Sequence, residues 1–142
     1  MANTATSTYG GSGGSAFQDD LTQVCRLDAI NVRSGEYVDM LQAVWQYPSG
    51  ARVNGPAHGG PGGSPTTVNL QPGEIIVRID LRSGKYLDQI TFYTDQGRQY
   101  GPFGGDGGSA QSLTNLVAVT GFIGRSGDYV DQIGFWIPAT CP

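Results

Sequence analysis

Residues 33–41 read RSGEYVDML, residues 82–90 read RSGKYLDQI and residues 125–133 read RSGDYVDQI. A second phrase, Gly-Gly-X-Gly-Gly-Ser, occurs at Gly10–Ser15, Gly59–Ser64 and Gly104–Ser109 and alternates with the first. From the first glycine of each glycine phrase to the glycine of the following RSG is 25, 25 and 23 residues (Gly10 to Gly35, Gly59 to Gly84, Gly104 to Gly127). A period of 43 to 49 residues lies in the range of propellers, solenoids and closed pseudo-symmetric arrays. Three copies are the fewest that close a ring. We divide the chain into one domain, residues 1–142, with internal repeats at about 9–57, 58–102 and 103–137.

The 23 glycines among 142 residues are about twice the usual share, yet 38% hydrophobic content is too high for a disordered linker. The glycines are therefore expected in turns of a packed structure. Only eight basic residues and a net charge of −4 leave no electrostatic footprint for nucleic acid or an anionic membrane. The N-terminus MANTATSTYGG lacks a basic and an apolar region, and no segment approaches the roughly 20 apolar residues of a membrane span. The expectation is a soluble protein without a signal peptide, cytoplasmic or released by a non-classical route. Cys25 and Cys141 are too far apart for a CxxC redox or zinc motif. One bridge between the chain ends and two reduced thiols both remain open.

Between the glycine phrases the apolar residues alternate. Ile75, Val77, Ile79 and Leu81 alternate with Ile76, Arg78 and Asp80, and Val38 to Trp45, Leu113 to Val119 and Val130 to Ile137 read the same way. That period predicts half-buried strands, and no stretch carries a capped helical stripe, so the chain is read as all-β. Each RSG phrase lies between two such runs, which puts Gly35, Gly84 and Gly127 in hairpin turns. Tyr37 and Asp39, with their counterparts, are then expected to crown the turn together.

An aspartate at a glycine turn, beside free main-chain amides, suits the recognition of vicinal hydroxyls: the carboxylate accepts from two OH groups while the amides donate to the same oxygens. A single such Asp would read as a cap for its own turn. Three copies, each with Tyr two residues before, favour the ligand reading; any one of Tyr37, Tyr86 and Tyr129 can be read as a core aromatic, but exposed tyrosines at all three turns are better explained by stacking on sugar rings.

GGSGGSAF at Gly10–Phe17, GRQYGPFGG at Gly97–Gly105 and the GXYXD turns resemble the jacalin-related lectins, most of all members with a sugar site in each repeat. The resemblance runs from about Tyr9 to Ile137. It implies a β-prism I fold of three four-stranded Greek-key sheets with pseudo-threefold symmetry and with the sites clustered at one end. In the family the turn Asp accepts from the O4 and O6 hydroxyls, and amides of the two residues after the turn glycine and of the last glycine of a GGXGG loop donate. Carried over, one site is Glu36, Tyr37 and Asp39 with Gly63, a second Lys85, Tyr86 and Asp88 with Gly108, and a third Asp128, Tyr129 and Asp131 with Gly14. Each loop would come from a different repeat. Pairing Gly14 with Asp131 would bring the chain ends together and make a Cys25–Cys141 bridge conceivable. Pro61, in the middle of the second glycine loop, lacks an N–H but is not the expected donor. Glu36, Lys85 and Asp128 differ in charge, so the three sites are not expected to be equal.

The implied ligand is mannose, with glucose or N-acetylglucosamine secondary. Galactose-preferring members resemble chains cleaved at the glycine equivalent to Gly14, which here lies within the chain. Single sites should bind at about millimolar affinity, and branched oligomannose should gain about 10² to 10⁴ in avidity. The resemblance extends to coating glycosylated viral envelopes and to homodimers that exchange the N-terminal segment. No metal or cofactor is implied.

A glycoside-active enzyme needs two carboxyls flanking one bond, whereas only the Asp131 turn holds a second, Asp128. His58, the sole histidine, is expected at the surface of a loop. A calcium-binding or structural repeat is the other rival, but only one glycine loop carries an acid, Asp106.

Overall fold

A computed structural model describes residues 3–138, and every regular element among them is a β-strand. In chain order these are β1 (Thr4–Ala5), β2 (Tyr9–Gly10), β3 (Ser15–Gln18), β4 (Arg26–Ser34), β5 (Val38–Gln46), β6 (Arg52–Gly59) and β7 (Ser64–Asn69). They continue as β8 (Ile76–Ser83), β9 (Leu87–Thr94), β10 (Gln99–Gly104), β11 (Ser109–Leu113), β12 (Gly121–Ser126) and β13 (Val130–Ile137). Three antiparallel sheets result. The first internal sheet has the order β6-β5-β4-β7 and the second β10-β9-β8-β11. The terminal sheet joins both chain ends: β12 and β13 form its central hairpin, β3 flanks β12, and β1 and β2 flank β13 as one interrupted edge strand.

Each sheet is a Greek key with one plan. The central hairpin turns through RSG, and the two edge strands are joined by a glycine phrase that must cross over the hairpin tip. Ser34 thus pairs with Ser64, Ser83 with Ser109 and Ser126 with Ser15. The central hairpin bulges at the same step in all three copies, between Arg33 and Ser34, Arg82 and Ser83, and Arg125 and Ser126. A bulge adds twist and re-aims the residues beyond it, here the turn itself.

The inward faces meet on one core. Ile30, Leu41, Ile79, Ile90, Phe92, Phe122, Ile133 and Phe135 are fully buried, contributed by all three sheets. Phe122 and Phe135 meet edge to face with centroids 6.0 Å apart. Trp45 Nε1 donates to the Thr120 carbonyl at 2.7 Å and ties the first internal sheet to the approach of the terminal one.

The alternation expected for Ile75 to Leu81 is shifted by a bulge between Ile76 and Arg78. Ile76 points inward, then Ile79 and Leu81, while Ile75 and Val77 are only half-buried. The strand expected over Leu113 to Val119 ends at Leu113. Asn115 and Ala118 take positive φ angles of 57° and 72°, which no strand accommodates. Leu116, Ala118 and Val119 are buried nonetheless, leaving Val117 62% exposed. An apolar run can plug a barrel-like end as irregular chain as well as in a strand.

His58 is not a surface loop residue. It lies buried in β6, its Nε2 2.6 Å from Asp19 Oδ1, and its ring stacks on Phe17 at a centroid distance of 3.7 Å. Asp19 Oδ2 also accepts from the Phe122 amide at 2.9 Å. The pair joins the first internal sheet to the terminal sheet. Asp19→Ala strands two buried donors at once and is expected to cost about 3–5 kcal/mol in a urea titration, the loss typical of breaking a buried pair. A loss below about 1 kcal/mol would show that the pair is not a structural tie.

Cys25 is disulfide-bonded and 6% exposed. Cys141, which the sequence left open as either its partner or a reduced thiol, lies outside the described residues. Among the described residues no helix is long and apolar enough to cross a membrane.

Candidate carbohydrate-binding site

The crossing of each glycine phrase over its hairpin tip brings the sequence-chosen residues together. Gly60 donates to the Asp39 carbonyl at 2.9 Å, Gly105 to that of Asp88 at 2.8 Å and Gly11 to that of Asp131 at 2.8 Å. The loop then passes over the carboxylate. A Cβ built on Gly62 would lie 2.8 Å from Asp39 Oδ2 and one on Gly63 2.7 Å from Oδ1. Gly107 and Gly108 stand in the same relation to Asp88, and Gly13 and Gly14 to Asp131. Gly14, Gly63 and Gly108 have φ of 67°, 74° and 72°, the left-handed region that favours glycine.

Each Asp is thus matched with the glycine expected for it, which lies in a different sequence repeat but not in a different sheet. Turn and loop belong to the same sheet in every case, because a Greek key places its edge connection over its own central hairpin. Only the Asp131 site depends on both chain ends, since its loop is N-terminal and its turn C-terminal.

The turn is closed by its own backbone: Gly35, Gly84 and Gly127 donate to the carbonyls of Tyr37, Tyr86 and Tyr129 at 3.0, 3.0 and 2.9 Å. Among the described residues the amides of Gly14, Gly63 and Gly108 make no backbone hydrogen bond, nor do those of the two residues after each turn glycine. They remain as donors beside the carboxylate.

The aspartates do not crown the tip. Asp39, Asp88 and Asp131 are 6%, 8% and 5% exposed, sunk beneath the loop, and no side chain among the described residues donates to them. Burial pushes all three carboxyls above the ordinary aspartate range, an effect that Arg33, Arg82 and Arg125 partly offset. Lys85 also pulls Asp131 back down, while Asp128 adds to its rise.

The tyrosines correct the sequence reading more sharply. Tyr37, Tyr86 and Tyr129 are half-buried and pack on one another at centroid distances of 4.9 to 5.0 Å, with interplanar angles of 56° to 64°. Tilted and edge-to-face rings at this distance gain about 0.5–1.5 kcal/mol per pair beyond their buried area. Each ring's partners are the other two rings, so the trio closes this end of the prism about its axis.

The arginine of the RSG phrase, to which sequence reasoning gave no role, clamps the loop. Arg33 Nε and Nη2 donate to the Gly62 and Gly63 carbonyls, both at 3.0 Å. Arg82 does the same to Gly107 and Gly108, and Arg125 to Gly13 and Gly14, at 2.9 to 3.0 Å. A planar guanidinium offers two parallel N–H bonds that a lysine cannot. Its presence in every copy of the phrase was the available signal. Arg82→Lys is expected to loosen the loop over Asp88 alone, seen as faster amide exchange at Gly107 and Gly108 with unchanged exchange at Gly62 and Gly63.

Asp106 is exposed in the middle of its glycine loop, in the place of Ser12 and Pro61. Among the described residues no three His, Cys, Asp or Glu side chains come together in a way that could hold a metal ion.

Residues 6–136 match the Jacalin-like lectin domain family. The chain is 40% identical to griffithsin from Griffithsia sp. (strain Q66D336) over 129 residues, covering 90% of this chain and 92% of that protein. Among solved structures it superimposes on a mannose-binding jacalin-related lectin from Ananas comosus with a TM-score of 0.85 at 29% identity, covering 94% and 96% of the two chains. It is similar as well to a mannose-specific jacalin-related lectin from Morus nigra in complex with mannose, with a TM-score of 0.84, 28% identity and 96% and 94% coverage. Three Greek-key sheets about one axis, a GXYXD turn under a glycine loop in each, and a match over nearly the whole length lead to one conclusion: the chain belongs to the jacalin-like lectin domain family.

Proposed function

We propose that this protein is a non-catalytic, soluble lectin for mannose-type sugars, with three similar sites at one end of the prism that together hold branched high-mannose glycans. The observation that carries the reading is the threefold repetition of one donor–acceptor set: a nearly buried carboxylate without a side-chain donor, flanked by unpaired amides of a turn and of a glycine loop. Asp39, Asp88 and Asp131 accept from a pair of sugar hydroxyls. The amides of Glu36, Tyr37 and Gly63, of Lys85, Tyr86 and Gly108, and of Asp128, Tyr129 and Gly14 donate. The solved relatives described as mannose-binding support the choice of sugar. A glycan array read at a protein concentration low enough to retain only multivalent ligands tests it. Branched oligomannose is expected to dominate, and retention of galactose-terminated glycans in its place would overturn the assignment.

The raised carboxyl pKa values set the pH dependence. A carboxyl whose pKa is raised on folding holds its proton more tightly in the native state. It contributes stability below the unfolded-chain value and loses that contribution as pH rises through its native value. Sugar binding runs the other way, because an acceptor pair requires the ionised form. Binding to immobilised mannose is therefore expected to fall on acidification before an ordinary aspartate would protonate, in a window where native stability does not fall on account of these groups. Calorimetry at stepped pH separates the two. Binding that persists until the protein unfolds would count against the aspartates as acceptors.

A homodimer that exchanges the segment carrying β1 to β3 would keep the same strand pairings and double the valency. Sedimentation equilibrium distinguishes it from the monomer.

A further inference from the structure

Each glycine loop, besides covering its own aspartate, is seated against the turn of another sheet. An ideal Cβ on Gly11 would lie 2.2 Å from the Lys85 carbonyl oxygen, one on Gly60 2.4 Å from that of Asp128, and one on Gly105 2.5 Å from that of Glu36. Gly105 also donates to the Glu36 carbonyl at 3.0 Å. The three sheets thus interlock in a cycle, and each site is bordered by two variable turn residues, its own and a neighbour's. The Asp39 site has Glu36 and Asp128, the Asp88 site Lys85 and Glu36, and the Asp131 site Asp128 and Lys85.

Lys85 belongs to the turn on which the loop of the Asp131 site is seated. Its Nζ stands 5.6 Å from the centroid of the Tyr86 ring, and that ring packs at 4.9 Å on Tyr129 of the Asp131 turn. Its charge is felt by the Asp131 carboxylate of the terminal sheet. In its own turn, Arg82 is the charged group that acts on Asp88. The one cation among the three variable turn positions therefore borders a site in a sheet to which it does not belong.

Resting on the reading of the three sites as mannose sites, we infer that they differ in the charge they accept: the Asp131 site takes a mannose bearing an anionic substituent, with Lys85 of the second internal sheet as its counter-charge. The Asp39 site, bordered by Glu36 and Asp128, disfavours it. The ligand class is a mannosyl phosphate or a mannan branch carrying a phosphodiester, with the hydroxyls that face the aspartate left free.

Mannose 1-phosphate and methyl α-mannoside serve as the charged and neutral probes. Asp39→Ala with Asp88→Ala leaves the Asp131 site, and Asp88→Ala with Asp131→Ala leaves the Asp39 site. In NMR titrations at low ionic strength the Asp131-only form is expected to prefer the phosphate by about two- to fivefold, the range of an exposed ion pair. The Asp39-only form is expected to prefer the neutral sugar. Lys85→Glu in the Asp131-only form should shift the ratio of the two ligands toward the neutral one. About 1 M salt, where screening acts within ~3 Å, should bring the two forms together. Equal ratios in both forms, or a ratio indifferent to Lys85→Glu, overturn the inference. If neither form binds methyl α-mannoside, the sugar reading itself fails and the charge assignment goes with it.

Discussion

A chain carrying Asp39→Ala, Asp88→Ala and Asp131→Ala together is expected to lose all measurable binding to immobilised oligomannose while melting no lower than the parent. Both halves follow from the same geometry. The carboxylates are 5% to 8% exposed and receive no side-chain hydrogen bond among the described residues, and burial raises their pKa values. A charge held where its ionised form is disfavoured does not stabilise the fold at neutral pH. Alanine removes that penalty, and the loop above keeps its main-chain bond to the carbonyl of the same residue, which survives the substitution. Each carboxylate is instead the acceptor of one proposed site, and the proposed affinity is multivalent. Removing one Asp should lower retention on a dense oligomannose surface, removing two should forfeit most of an avidity gain of about 10² to 10⁴, and removing three should leave nothing. Surface plasmon resonance on the series, with circular dichroism melts, reads both quantities. Undiminished binding by a folded triple variant would sink the site assignment. A marked drop in melting temperature would show that the carboxylates are structural.

The second large effect is expected from Gly63→Ala. Gly63 and Gly73 have nearly the same positive φ, 74° and 76°, so alanine carries a similar backbone penalty at either, about 1–2 kcal/mol. Their surroundings differ. A Cβ at Gly73 meets nothing within 4 Å, whereas one at Gly63 would come within 2.7 Å of both the Ser34 carbonyl and Asp39 Oδ1. The backbone beneath Gly63 belongs to the paired strand β4 and cannot move aside freely. Gly63→Ala should therefore cost more stability than Gly73→Ala in parallel urea titrations, by about 1–3 kcal/mol for the overpacking. It should also push the loop off Asp39 and silence that site, while Gly73→Ala binds as the parent does. Equal losses at the two positions would mean that the loop yields, and that its close approach to Asp39 is not required.

The apolar alternation and the repeated phrases made the all-β class and the three hairpins readable in the chain, and the family resemblance supplied the matching of each Asp to its glycine. Local chemistry governs the first two: a period of two and a turn glycine. The phase of β8 was misread because a bulge at Ile76 inserts a residue that leaves no mark in composition. Leu113 to Val119 looked like a strand because burial, not hydrogen bonding, selects apolar residues, and irregular chain can be buried too. His58 looked like a loop residue because its partner, Asp19, lies 39 positions away.

By itself the sequence determined that one turn motif is written three times, since Gly, Tyr and Asp at close spacing need no distant contact to be recognised. The tertiary structure alone decided how each motif is used. Folding each glycine loop over its own hairpin sank the aspartates, the threefold axis turned the tyrosines upon one another, and the seating of Gly11 on the Lys85 carbonyl fixed the loop of one sheet against the turn of the next. These outcomes depend on which surfaces meet when three sheets close on a single core, and contacts between sheets leave no periodic trace along the chain.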